Sequence, residues 1–133
     1  SLKTWIPLNK RAEALGVKIA IENIFEDEPD NLRMLAQEMD SENFGLCFDV
    51  GHFNLFSRIS LSKWLQITGP FIKEIHLHDN DGSGDDHLAI GDGTLDFETI
   101  FKMTRELNCV YTIEAHTVEN AKKSMEMVRK YLG

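Results

Sequence analysis

Apolar residues follow two alternating patterns along the chain: short, nearly continuous runs, and longer stretches with a single apolar face. Residues 7–15 are of the second kind. Leu8, Ala12 and Leu15 share a face, Pro7 suits a first helical position, and Gly16 stands where a C-terminal cap belongs. Val17 to Glu22 then forms a β-rich run closed by an acid. Asp30 or Asn31 can cap a helix over 31–39 that turns Leu32, Leu35, Ala36 and Met39 inward. Phe44 to Asp49 is a second apolar run ending in an acid. A helix over 60–68, capped by Ser60 and carrying Leu61, Trp64 and Leu65, leads through Gly69 and Pro70 to a third run, Ile72 to Leu77. Residues 80–93 are a loop rich in Gly and Asp. A helix over 96–107, a strand from Val110 to Glu114 and an amphipathic helix over 118–132 follow.

The order α-β-α-β-α-β-loop-α-β-α, with apolar strands between amphipathic helices, predicts an α/β fold with a parallel sheet covered by helices. No linker or low-complexity segment interrupts it, so residues 1–133 read as one domain.

Each predicted strand carries a metal-capable or proton-transferring side chain at its end: Glu22, Asp49, His76 and Glu114. The first three recur every 27 residues, and the fourth follows after 38, delayed by the loop at 80–93. A βαβ step takes about 30 residues, so the first three groups fall at one level of successive strands. Parallel α/β folds gather their functional groups at the carboxyl ends of strands. One acid closing a strand is ordinarily a helix cap or a solvated loop group. One histidine in an apolar strand is ordinarily a satisfied core residue. Four such groups in register point instead to a shared centre. Two Glu, one Asp and one His suit Mn²⁺, Mg²⁺, Fe²⁺, Co²⁺ or Zn²⁺. His52, in Asp49-Val50-Gly51-His52, reads as lying on a turn whose Gly lets the chain double back. Together with Asp85 and His87 in the long loop, it reads as a functional group rather than a solvated one. Asn23 and Asp79 read as residues that orient the ligands. His78 and His116 read either as loop-surface residues or as groups standing behind the ligands, and Cys47 and Cys109 as small buried hydrophobes.

Composition narrows the function. Against 14 Lys and Arg stand 22 Asp and Glu, a formal net charge of −8, which repels phosphate backbones and argues against nucleic-acid binding. No apolar run approaches the roughly 20 residues of a membrane span. Two cysteines make no disulfide framework, and the first residues show no signal-peptide pattern, so a reduced, cytoplasmic protein is expected.

Five segments together resemble the xylose isomerase-like (β/α)₈ barrel superfamily, which includes sugar and sugar-phosphate isomerases and epimerases and the endonuclease IV type of AP endonuclease. They are Ile19-Ala20-Ile21-Glu22-Asn23, Phe48-Asp49-Val50-Gly51-His52, Ile75-His76-Leu77-His78-Asp79, Asp85 to Gly93, and Tyr111-Thr112-Ile113-Glu114. The resemblance covers the C-terminal half of the family barrel only. It implies four parallel strands with covering helices, out of the eight that a barrel of about 250 residues supplies. It also implies that Glu22, Asp49, His76 and Glu114 are ligands of a divalent metal (Mn, Mg, Co or Zn). His52 matches a residue that touches substrate in the epimerases and a further zinc in the endonucleases, and Asp85 and His87 match an Asp-x-His that helps hold that zinc.

The activity so implied is a metal-dependent sugar or sugar-phosphate isomerase or epimerase working through an enediolate on a small-molecule sugar, with Glu22 and Glu114 as base and acid. Zinc-dependent cleavage of abasic DNA is the rival activity. An inactive metal-binding half-barrel is the third reading. A half-barrel has two open strand edges and an apolar interior face to cover, so it is expected to pair with itself as a homodimer or with the missing N-terminal half.

Overall fold

The computed structural model describes residues 2–133. In chain order the elements are α1 (Leu2–Leu15), β1 (Ile19–Glu22), α2 (Asp30–Met39), β2 (Phe44–Asp49), α3 (Val50–Phe56), α4 (Leu61–Thr68), β3 (Ile72–Leu77), α5 (Phe97–Thr104), β4 (Val110–Ile113) and α6 (Val118–Leu132). The four strands form one sheet in the order β1-β2-β3-β4, every neighbouring pair parallel. This is half of a (β/α)₈ barrel.

Side chains alternate across each strand, so one face meets the helices and the other faces the barrel interior. On the helix side Leu46, Phe48, Ile75 and Leu77 join Leu32, Ala36, Trp64, Leu65, Ile100 and Phe101 in a single core. Trp64 packs edge-on to Phe53, with ring centroids 5.4 Å apart, and tilted over Phe48 at 6.2 Å. Ile75 is fully buried at the centre of this layer. Its replacement by Ala is expected to cost about 2–5 kcal/mol, the transfer term plus the cavity left behind. Urea unfolding checks this: the midpoint falls while the slope is kept, and an unchanged midpoint would contradict the packing. The interior face is not the apolar surface expected. Cys47, Glu74 and Thr112 lie there, beneath Asp49, His76 and Glu114.

The elements differ from expectation in four places, each for a local reason. The first helix begins at Leu2, and Pro7 lies inside it. So near the N-terminus, the missing N–H leaves only the Lys3 carbonyl without its helical donor. α2 starts after Pro29 with no side-chain cap, so Asp30 serves as a first-turn acid rather than a cap. α5 ends at Thr104, whose hydroxyl turns back to the Ile100 carbonyl at 2.7 Å, and a tight Leu107–Thr104 bond follows. The chain does not double back after Asp49 but enters α3. The Asp49 carboxylate caps that helix, accepting from the His52 N–H at 2.8 Å.

Candidate metal centre

The strand ladder sets the site. Asp49 lies opposite His76, whereas Glu22 lies opposite Cys47, two residues short of Asp49. Glu114 follows β4 directly, its N–H donating to the Leu77 carbonyl at 3.0 Å. The stagger of the strands thus offsets the backbone positions, and side-chain length brings the four groups back together. His76 Nδ1 is the meeting point. It lies 3.2 Å from Glu114 Oε1, 3.6 Å from Asp49 Oδ2 and 3.8 Å from Glu22 Oε1.

The flanking residues complete a second arc. His52 Nδ1 lies 2.9 Å from the Asn23 carbonyl and 3.1 Å from Glu22 Oε1, so it carries the proton and donates. His52 Nε2 is left to face Asp85 Oδ2 at 3.5 Å, and His87 Nε2 approaches the same oxygen at 3.4 Å. Asn23 brackets the Asp49 backbone, donating to its carbonyl at 3.0 Å and accepting from its N–H at 2.8 Å. Asp79 does otherwise. Its carboxylate accepts from the N–H groups of Asn80, Gly91, Gly93 and Leu95, so it shapes the long loop and not the ligands.

Three features were not legible beforehand. Of the two places expected for His78, the structure takes the one behind the ligands, and its full burial is the unforeseen part: its Nε2 lies 3.0 Å from Asp49 Oδ1. Gly51 is there for close approach and not for a turn: a Cβ on it would sit 2.0 Å from His78 Cε1. His78, His87 and His116 stack in series, with centroids 3.9 Å and 4.4 Å apart, and His87 takes a left-handed backbone with φ 49. That is an uncommon conformation for a non-glycine residue, and the loop built on Asp79 holds it. Left-handed backbone and ring stacking depend on tertiary contacts, which leave no local pattern.

Burial alone would raise the Asp49 carboxyl, but His76 and His78 outweigh it and hold the group well below the usual carboxylate range. Burial and the nearby Asp49 charge raise Glu22. Burial would lower the His52 imidazole, yet Asp49, the Asn23 carbonyl and Asp85 leave it raised. Asp49 and Cys47 push His76 up to about 11 in spite of burial. A folded pKa above the unfolded value of about 6.5 contributes stability that is full below that pH and lost as pH rises toward about 11. The metal-free protein is therefore expected to unfold more readily at pH 9 than at pH 6. A cation binding to His76 must displace this proton, so cation affinity should rise with pH and binding should release protons. Calorimetric titration in buffers of different ionisation enthalpy reads this directly, and a heat independent of buffer would contradict it.

The residues fit a divalent cation. The Nδ1 atoms of His76, His78 and His87 are buried without a hydrogen-bond partner, and buried polar atoms are normally paired. Asp49, His76 and Glu114 present ligand atoms within 4.8 Å of one another, as do Glu22, Asp49 and His52, and His78, His87 and Glu114. These donors are all carboxylate oxygens and imidazole nitrogens, the set that suits hard and borderline divalent ions.

Four parallel βα units with polar groups gathered at the carboxyl ends of the strands define half of a (β/α)₈ barrel. The chain belongs to the xylose isomerase-like TIM barrel family, whose model matches residues 2–131. It is 34% identical over 130 residues to the uncharacterized protein MJ1311 of Methanocaldococcus jannaschii, covering 91% of this chain and 44% of that protein. A D-tagatose 3-epimerase-like protein superposes with a TM-score of 0.85 at 30% identity, over 98% of this chain and 52% of its own. The TTHB071 protein from Thermus thermophilus, soaked with ZnCl2, superposes at 0.76 with 28% identity, over 92% of this chain and 48% of its own. The chain thus spans about half the length of these relatives. Among the described residues no helix is long and apolar enough to cross a membrane.

Proposed function

We propose that the chain supplies the metal-binding half of a divalent-metal-dependent sugar or sugar-phosphate isomerase or epimerase. The observation that carries this reading is the convergence of three carboxylates from three strands on the unpartnered Nδ1 of His76. Glu22, Asp49, His76 and Glu114 would hold Mn²⁺, Mg²⁺, Co²⁺ or Zn²⁺. When bound, the ion supplies Lewis-acid charge that acidifies a C–H beside the substrate carbonyl. Glu22 and Glu114 reach the centre from the two outer strands, β1 and β4, and so can take and return that proton through an enediolate. His52 Nε2, which faces Asp85 Oδ2 at 3.5 Å, is the atom placed to hydrogen-bond a substrate oxygen. The likeness to the D-tagatose 3-epimerase-like protein supports a keto sugar as substrate.

The second reading is zinc-dependent hydrolysis of abasic DNA, favoured by Asp85 lying within 3.5 Å of both His52 and His87. The net charge of −8 weighs against it. Metal content of the purified protein separates the two: one ion per chain supports the isomerase, and two or three support the hydrolase. Exchange of substrate hydrogen with D2O on a panel of ketoses tests the isomerase directly, and absence of exchange with every sugar would overturn it. A half-barrel also needs its open β1 and β4 edges covered, by a second copy or by the other half of the barrel. The mass in solution by light scattering reports which.

A further inference from the structure

His76 has two ring nitrogens, and only one of them faces the cluster of carboxylates. Nδ1 meets Glu22, Asp49 and Glu114 and has no hydrogen-bond partner. Nε2 points down the interior face of the sheet, where Glu74 Oε1 lies 3.5 Å away. Glu74 and His76 are two residues apart on β3, so they share a face by strand geometry. Glu74 is itself held. Thr112 Oγ1 donates to Glu74 Oε1 at 2.5 Å, and Thr112 stands opposite His76 in the β3–β4 ladder. On the other side Cys47, the partner of Glu74 in the β2–β3 ladder, brings a thiol, a weaker acceptor than a carboxylate, within 4.8 Å of the Glu74 and His76 ligand atoms.

We propose that Glu74 is a positioning residue: it accepts the Nε2 proton of His76, fixing the tautomer and ring orientation that present the Nδ1 lone pair to a divalent cation. This rests on the reading that Glu22, Asp49, His76 and Glu114 hold such an ion. A neutral imidazole carries one proton, so a ring that coordinates through Nδ1 must keep it on Nε2. Glu74 is the carboxylate beside that atom. A carboxylate behind a ligating histidine raises its basicity and limits its rotation, and loss of such a partner typically weakens metal affinity about 10–100-fold. Neither Glu74 nor Thr112 lies at a strand end, which is why the register of Glu22, Asp49 and His76 does not reveal them.

The test is a competition titration of Zn²⁺ into the 133-residue chain and its Glu74→Leu and Glu74→Gln variants, with thermal unfolding of each metal-free protein as a control. Leu removes the acceptor and is expected to raise the dissociation constant about 10–100-fold, and Gln, a neutral acceptor, by less. Imidazole ¹⁵N spectra of the Zn²⁺-loaded wild type should show Nε2 protonated and Nδ1 bound, a signature that mere stabilisation of the strand would not produce. Affinity in the folded Glu74→Leu variant within twofold of wild type, or a proton on Nδ1 in the loaded wild type, overturns the role of Glu74 alone. A wild-type chain that binds no divalent cation overturns the metal reading and this one with it.

Discussion

Glu114→Gln is expected to lower turnover by about 10²–10⁴-fold in the protein containing this chain, the range that a positioned acid or base contributes. The substitution keeps the shape and one oxygen donor but removes the capacity to exchange a proton. Glu114 meets His76 at 3.2 Å, with His87 at 3.8 Å and His78 at 3.9 Å, so its side chain is already oriented and Gln can take the same place. The metal-free unfolding midpoint should change little, because the lost attraction to the His76 imidazolium offsets the relieved repulsion from Glu22. Cation affinity should fall less than turnover does. Steady-state kinetics with a turned-over ketose, alongside cation titration, separates the two effects. Undiminished turnover in the variant would remove Glu114 from the proton-transfer role.

Asp49→Ala should have the largest effect on stability at the site. Asp49 is fully buried, caps α3 through the His52 N–H, accepts from His78 Nε2 and faces His76 Nδ1. Its removal takes the buried carboxylate from beside the His76 imidazolium and leaves His78 Nε2 without its acceptor, and breaking a buried pair costs about 3–5 kcal/mol. The lost cap accounts for about 0.5–2 kcal/mol of that kind of penalty in other helices. A bound cation adds stability by mass action, about 2.7 kcal/mol at a hundred times its dissociation constant. That increment should also disappear. Asp49→Asn preserves the cap without the charge, so it should recover part of the metal-free stability but not the shift on adding Mn²⁺ or Zn²⁺. Thermal melts of the three proteins with and without cation make the comparison. An Asp49→Ala protein still stabilised by cation would place the ion elsewhere.

The four-stranded parallel sheet bears out the sheet expected from alternating apolar runs and amphipathic stretches, and the family comparisons bear out the half-barrel that the resemblance implied. β2 and β3 fall on the residues expected, because β2 is a continuous apolar run and β3 carries Ile72, Ile75 and Leu77 between turn signals. Gly51 suggests a turn that doubles the chain back, but it lies in α3, and its reason, the close approach of the His78 ring, comes from the residue that follows β3. Asp79 looked like a partner of the ligands by proximity in sequence, yet the loop from Asn80 to Leu95 folds over it and takes all its bonds.

By itself the sequence determined the alternation of strands and helices, the parallel sheet and the four polar groups at the ends of its strands, because hydrophobic periodicity and the length of a βα unit are local properties. Only the tertiary structure decided which nitrogen of His76 faces the carboxylates, that His78 holds Asp49, and that Glu74 and Thr112 stand behind the site. Those facts depend on strand stagger and side-chain direction across neighbouring strands. Residues far apart in sequence set both, and no spacing along the chain encodes them.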